Sequence, residues 1–197
     1  MDMTSGIISL LKKSLVQPAR RIEDRSLARA AVLIPLVQTT GGLHLLLTKR
    51  TETVEQHKGQ ISFPGGSVES SDSSLVGTAL REATEEIGLY PSDITVLGVM
   101  DDLKAGNGFI ISPVIGYVER LPSLSPNPDE VAEIILIAFH DFLNDTKRYS
   151  RIMQRNRTDV EVFFYDVWKE PVWGITGLLI KNLIDIIRSV EYRTKIH

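Results

Sequence analysis

The chain has 197 residues, 43% of them hydrophobic, a formal charge of -3 and no cysteine. That is enough for one globular domain with a full core, and it excludes disulfides, zinc-thiolate sites and thiol nucleophiles. The mildly acidic balance, with no basic stripe interleaved with aromatics, argues against a nucleic-acid surface, so any anionic substrate must be met by local cations and metal.

Residues 4–16 read as a short amphipathic helix, capped by Thr4 or Ser5, with Ile7, Ile8, Leu10, Leu11 and Leu15 on its apolar face. Such a helix docks on its own domain or on a second copy in a homodimer. Pro18 stops it, and residues 20–25 form a charged connector expected as a solvated face. Asp2, with lysines only after the apolar run, is the reverse of a secretory leader, and no apolar stretch reaches the ~18 residues of a membrane span. A cytoplasmic location is the expectation. Residues 30–37 and 43–48, separated by Thr39-Thr40-Gly41-Gly42, read as a hairpin of largely buried strands, followed by a strand at 59–63.

Pro64-Gly65-Gly66 is a turn poor in Cβ atoms, of the kind that lets backbone amides approach a phosphate. Lys49, Arg50 and Lys58 lie close to it in sequence and are candidate phosphate contacts. His57 has no His or Cys companion at metal spacing, so a hydrogen-bonding or loop-packing role is its default. A loop carrying Glu69 and Asp72 leads into a helix over 74–87, which Gly88 ends as a left-handed cap. Val76, Leu80, Ala83 and Ile87 form its buried stripe. On another flank Glu82, Glu85 and Glu86 project within about 100° of one another. Like charges at such spacings repel, so the cluster calls for a cation, and carboxylates without His or Cys suit Mg²⁺ or Mn²⁺. Arg81, one turn before Glu85, can hold that carboxylate by a charge-assisted hydrogen bond.

Further on, strands are expected at 94–100 and 109–119 around a turn at 104–108, then an irregular loop at 122–128 fit to wall a cleft. Glu130 precedes an apolar run to Phe139 and is a candidate to complete a metal site or to act as base. A short helix or turn at 139–143, a polar exposed segment at 148–159, a strand at 160–167 and a closing helix at 173–187 complete the chain. Trp168 and Trp173 read as core or interface aromatics, one of them a candidate for lining a substrate pocket. The order of strands and helices implies an α/β layer architecture.

Residues 66–89 resemble the Nudix hydrolase signature G-x5-E-x7-R-E-U-x-E-E-x-G-U through Gly66, Asp72, Arg81, Glu82, Ala83, Glu85, Glu86, Gly88 and Leu89. Asp72 stands where Glu is usual, one extra residue separates it from Arg81, and Ala83 is smaller than the usual apolar residue. The extra residue resembles the coenzyme A pyrophosphatase branch. So does the stretch from Leu46 to Gly66, set against L-L-T-x-R-S-x-x-L-R-x-H-x-G-Q-V-x-F-P-G-G, with Glu55 where that pattern has arginine. The resemblance implies a Nudix α/β/α sandwich with a mixed sheet spanning residues 1–197 as one domain, 1–27 being an N-terminal helical extension. It also implies Glu82, Glu85 and Glu86 as ligands of Mg²⁺ or Mn²⁺, Arg81 as the group orienting Glu85, and a small nucleoside diphosphate substrate. Coenzyme A or its thioesters lead, cleaved to 3′,5′-ADP and a 4′-phosphopantetheine product. ADP-ribose or a dinucleotide is the alternative, and a non-catalytic nucleotide-binding module on the same fold is a third reading.

Overall fold

The computed structural model describes residues 3–52, 59–106, 108–155 and 157–194. Glu55, His57 and Lys58 lie outside the described residues. Among these residues four α-helices and eleven strands follow in the order α1 (Met3–Ser14), β1 (Ala28–Thr39), β2 (Gly42–Arg50), β3 (Ile61–Ser62), β4 (Gly65–Ser67), α2 (Leu75–Ile87), β5 (Thr95–Val99), β6 (Leu103–Ala105), β7 (Phe109–Val118), β8 (Val131–Ala138), α3 (Phe139–Leu143), β9 (Arg148–Arg155), β10 (Thr158–Tyr165), β11 (Val172–Trp173) and α4 (Gly174–Thr194).

β1 is the centre of an eight-stranded mixed sheet. It runs parallel to β7 and antiparallel to β2, as expected of two long apolar strands joined by Thr40 and Gly41. Strand alternation divides its side chains between two cores. Ala31, Leu33 and Val37 meet Ala79, Ala83 and Ile87 of α2, while Ile34 and Leu36 meet α1 and Leu179, Leu183 and Ile187 of α4. Each fully buried leucine, such as Leu33, stabilises the fold by about 1.5–3 kcal/mol. The result is helix, sheet, helix: the α/β/α sandwich.

Along its other edge β1 pairs with β4 through Ala30–Val32 and with β2 from Leu36 onward. Pro35, which has no N–H to donate, falls in the gap between these two partners. β2 in turn passes from β1 to β3, which takes up Thr48 and Lys49, while β8 covers its opposite edge.

Several local expectations change. Gly65 and Gly66 are strand β4, because their backbone completes the edge of β1 that β2 leaves open. The turn expected at 104–108 begins as β6, paired with β7. The segment at 148–159 is exposed, as its polarity required, yet it forms a hairpin of β9 with β10, since its partner strand supplies the hydrogen bonds that its composition does not reveal. Nor are residues 20–25 a freely solvated face. Asp102, 2% exposed, receives Arg21 Nη1 (2.7 Å), the Ile22 amide (3.0 Å), Arg29 Nη1 (3.3 Å) and Ser112 Oγ (2.7 Å), so the connector is tied to a buried anion. Burial pushes Asp102 up, but the hydrogen bonds from Ser112, Ile22 and Arg21 outweigh it and hold the carboxyl below its ordinary 3.8. α1 packs against α4 and β5 and buries Ile7, Ile8 and Leu11.

Candidate active site

α2 is defined by its ends. Ser74, in extended conformation, accepts the Gly77 amide (3.0 Å), and Gly88 at φ 68° turns the chain out of the helix, its N–H bonding back to the Ala83 and Thr84 carbonyls. Val76 and Leu80 pack partly buried on the core that Ala83 and Ile87 enter fully, as the periodicity requires. This packing turns Glu82 and Glu86 toward β4. A Cβ on Gly66 would fall inside van der Waals contact of the Glu82 carboxylate, and one on Gly65 would collide with the Ala31 carbonyl. Gly65 therefore lets β4 lie against β1, and Gly66 leaves room for the Glu82 carboxylate.

Arg81 organises the acidic flank. Its Nε and Nη2 fork onto Asp72 at 3.0 Å each, Nη1 reaches Glu85 and Glu82 at 2.9 Å, and Nη2 also donates to the Ser67 carbonyl (3.0 Å). Arg81 does hold Glu85, as its spacing predicts, but its principal partner is Asp72. Hydrogen bonds from Arg81 and the Glu69 amide keep the Asp72 carboxyl far below the usual carboxylate range. Spacing alone could not pick out Asp72, nine residues from Arg81 and outside the helix. The Asp72 side chain also accepts Thr78 Oγ1 (2.9 Å), fastening the loop to the first turns of α2.

The three glutamates are not equivalent. The Glu85 side chain is 55% exposed and lies with Arg81, whereas that of Glu82 is 15% exposed and that of Glu86 3%. Among the described residues no three Asp, Glu or His side chains converge on one point as they stand. Among the described residues Glu86 Oε2 is buried without a hydrogen-bond partner, and the cation paired with this side chain is Arg50, its Nη1 3.5 Å from Oε1. Burial pushes Glu86 up to about 8, with Glu130 and Glu82 adding repulsion and Arg50 and the Gly65 amide opposing it. Burial likewise raises Glu82. An orphaned buried carboxylate oxygen beside further hard oxygen donors is what a divalent cation would satisfy, so Glu86 and Glu82, with Glu130 in electrostatic reach, fit such an ion.

Glu130 comes from the residue before β8, whose Val131 shares the core of α2. The amides of Ser125 and Asn127 donate to the Ile87 and Glu86 carbonyls (2.9 and 2.8 Å), docking the 122–128 loop on the C-terminal end of α2 as a wall. The Thr51 amide donates to the Glu130 carbonyl, which anchors the start of β8 beside Arg50. Lys49 goes elsewhere. It points from the opposite face of β2, bonds Glu170 (2.6 Å) and lies 5.9 Å from the Trp168 ring, so the two neighbouring cations do not act together on Glu86.

The chain matches the NUDIX domain family model over residues 27–156. It is 32% identical over 183 residues to the uncharacterized Nudix hydrolase NudL of Photorhabdus laumondii, covering 93% of this chain and 97% of that one. It is 36% identical over 155 residues to the NudL of Pectobacterium atrosepticum, covering 79% of this chain and 80% of that one. A crystal structure of an Ap4A hydrolase from C. elegans shares the fold at 16% identity, with a TM-score of 0.50 over 57% of this chain and 81% of that one. The glycine-lined strand, the capped acidic helix and the fork of Arg81 on Asp72 accordingly stand in a protein that belongs to the Nudix hydrolase family, whose members are pyrophosphohydrolases dependent on divalent cations.

Proposed function

We propose that this Nudix hydrolase cleaves the diphosphate of coenzyme A or its thioesters, releasing 3′,5′-ADP and a 4′-phosphopantetheine product. The observation that carries the hydrolytic reading is Glu86: buried, half unpartnered, with Glu82 and Gly65 beside it and Arg50 facing it. A carboxylate held that way works against the fold unless a cation completes it, which a purely structural helix would not retain. Mg²⁺ or Mn²⁺ bound there neutralises diphosphate oxygens and acidifies the attacking water. Glu82 and Glu86 would hold the ion, and Arg81 orients Glu85 beside them. Arg50, on the same face as Glu86, pairs with a substrate phosphate, and the amides of Gly65 and Gly66 line the approach. Glu130, just before β8 and in electrostatic reach of the pair, would accept the proton.

The coenzyme A assignment is supported by the resemblance over residues 46–66. The test is a panel of coenzyme A, acetyl-coenzyme A, ADP-ribose and a dinucleoside polyphosphate, each with Mg²⁺ and with Mn²⁺, products being read by mass. Coenzyme A turned over with the highest kcat/KM and split between its two phosphates supports the reading. Preferential cleavage of ADP-ribose or the dinucleotide replaces it with the alternative substrate class.

A further inference from the structure

The second sheet, of β9, β10 and β11, has two chemically different faces. The pairings Phe164↔Tyr149, Val162↔Arg151, Val160↔Met153 and Phe164↔Trp173 put these residues and Arg155 on one side. Glu161 and Asp159 belong to the other, where Glu161 accepts Ser150 Oγ (2.6 Å). The first face therefore carries no carboxylate from its strands.

Three rings stack on it. Tyr149 and Phe164 lie 5.0 Å apart with planes 1° from parallel, and Phe164 and Trp173 lie 5.7 Å apart at 11°. The Arg151 guanidinium covers the first two, 5.1 Å from the Tyr149 ring and 5.5 Å from that of Phe164. Tyr149 and Phe164 are half-buried, but Trp173 remains 43% exposed although Phe164 covers one of its faces. One ring is open.

The charge is equally uneven. Residues 147–157 hold five cations and no acid in a chain of net charge -3. Asp141 and Asp145 neutralise Lys147 and Arg148, whereas Arg151 and Arg155 form no ion pair among the described residues. The ribbon is held at both ends. β11 abuts β3, and Thr176 Oγ1 donates to the Ile61 carbonyl (3.0 Å), so the rings begin beside the strand that pairs with Thr48 and Lys49, just before Arg50. At the far end Arg155 lies over Gly106, where a Cβ would collide with its guanidinium.

We propose that this face binds the nucleotide portion of the substrate, Trp173 stacking on the base and Arg151 pairing with a phosphate; the inference rests on the reading above that the substrate is nucleotide-linked. An aromatic ring accepts any base on its π-face, and an unpaired arginine beside it selects an anion. Trp173 and the Arg151 guanidinium lie 5.7 and 5.5 Å from the same Phe164 ring, close enough for one nucleotide to meet one with its base and the other with a phosphate. With one open ring the surface suits one base rather than a run of them.

In a Trp168→Phe variant Trp173 is the sole tryptophan, since the chain has two. Its fluorescence, in metal-free protein, is titrated with ADP, adenosine, inorganic pyrophosphate and a short oligoadenylate. ADP should quench it saturably and pyrophosphate should not. Adding Arg151→Gln, at an exposed position, should raise the dissociation constant of ADP about tenfold and leave that of adenosine unchanged. In turnover, Trp173→Ala should raise KM about tenfold at constant kcat, with Trp173→Phe restoring it. Absence of quenching by millimolar ADP, or an ADP affinity indifferent to Arg151, overturns the proposal, as does oligoadenylate binding more than tenfold tighter than ADP. A protein that binds ADP at Trp173 yet hydrolyses no diphosphate supports this surface and refutes the hydrolytic reading instead.

Discussion

Replacing Glu86 by Gln should make the metal-free protein more stable and the enzyme far slower. Burial raises the folded pKa of Glu86 from 4.5 to about 8. Between those values the folded state holds a proton that the unfolded state has released. Wild type therefore loses stability as pH rises from about 4.5 to about 8, and the loss is complete above 8. At about 1.4 kcal/mol per pK unit the ionised carboxylate opposes folding by up to ~5 kcal/mol. That figure already includes the attraction of Arg50, and glutamine stands in for the neutral acid; its amide fits the carboxyl's place imperfectly, so the expected net gain is ~2 kcal/mol, or roughly 6 °C in Tm for a chain of this size. Thermal melts in chelator at pH 4.5 and pH 8.5 read the effect: superimposed curves at the first, a higher Tm for Glu86→Gln at the second. Mg²⁺ should then stabilise wild type and not the variant, by linkage. Loss of the ligand charge should lower kcat about a hundredfold to a thousandfold, equivalent to ~3 to 4 kcal/mol. A variant less stable than wild type at pH 8.5 in chelator, or one with near wild-type turnover, would refute the reasoning.

Arg81→Lys should lower stability by about 2 kcal/mol in urea denaturation, because an ammonium cannot reproduce the fork on Asp72; equal midpoints would show that fork to be dispensable. Gly66→Ala should leave the far-UV spectrum intact and reduce turnover at least tenfold, since the new methyl displaces the Glu82 carboxylate; an unchanged kcat/KM would mean that Glu82 needs no fixed position. Asp102→Asn should cost about 3 kcal/mol at pH 7 by leaving Arg21 and Arg29 unpaired against a buried site. The folded pKa of Asp102 is depressed, so this advantage of wild type is present above pH 3.8 and fades as pH falls through the folded value; a difference in Tm that stays constant into acid would assign the effect to packing.

Local, periodic information was enough for the acidic helix α2. The face shared by Glu82 and Glu86, the stripe of Val76, Leu80, Ala83 and Ile87, the stop at Gly88 and the reach of Arg81 to Glu85 all follow from 3.6 residues per turn and from which residues tolerate a left-handed cap. The paired long strands β1 and β2 and the α/β layering were legible for the same reason, alternation and apolar runs being properties of neighbours in sequence, whereas the sandwich class came from the family resemblance.

What depends on distant segments was not legible. Lys49 and Arg50 are adjacent in sequence, and only the sheet, by sending successive side chains to opposite faces, separates them into a partner of Glu170 and a partner of Glu86. Asp72 became the principal partner of Arg81 through the path of a loop, and residues 20–25 became a tether through a carboxylate some eighty residues away. The five cations of residues 147–157, with Tyr149 among them, stand in the sequence, but the stacked face of Tyr149, Phe164 and Trp173 exists only once three strands align. The difference between Glu85 and Glu86 is the clearest case. The two are chemically identical neighbours on one helix, yet β4, Arg50 and the 122–128 loop desolvate one and leave the other in water, and desolvation is a property of the assembled surroundings rather than of the residue.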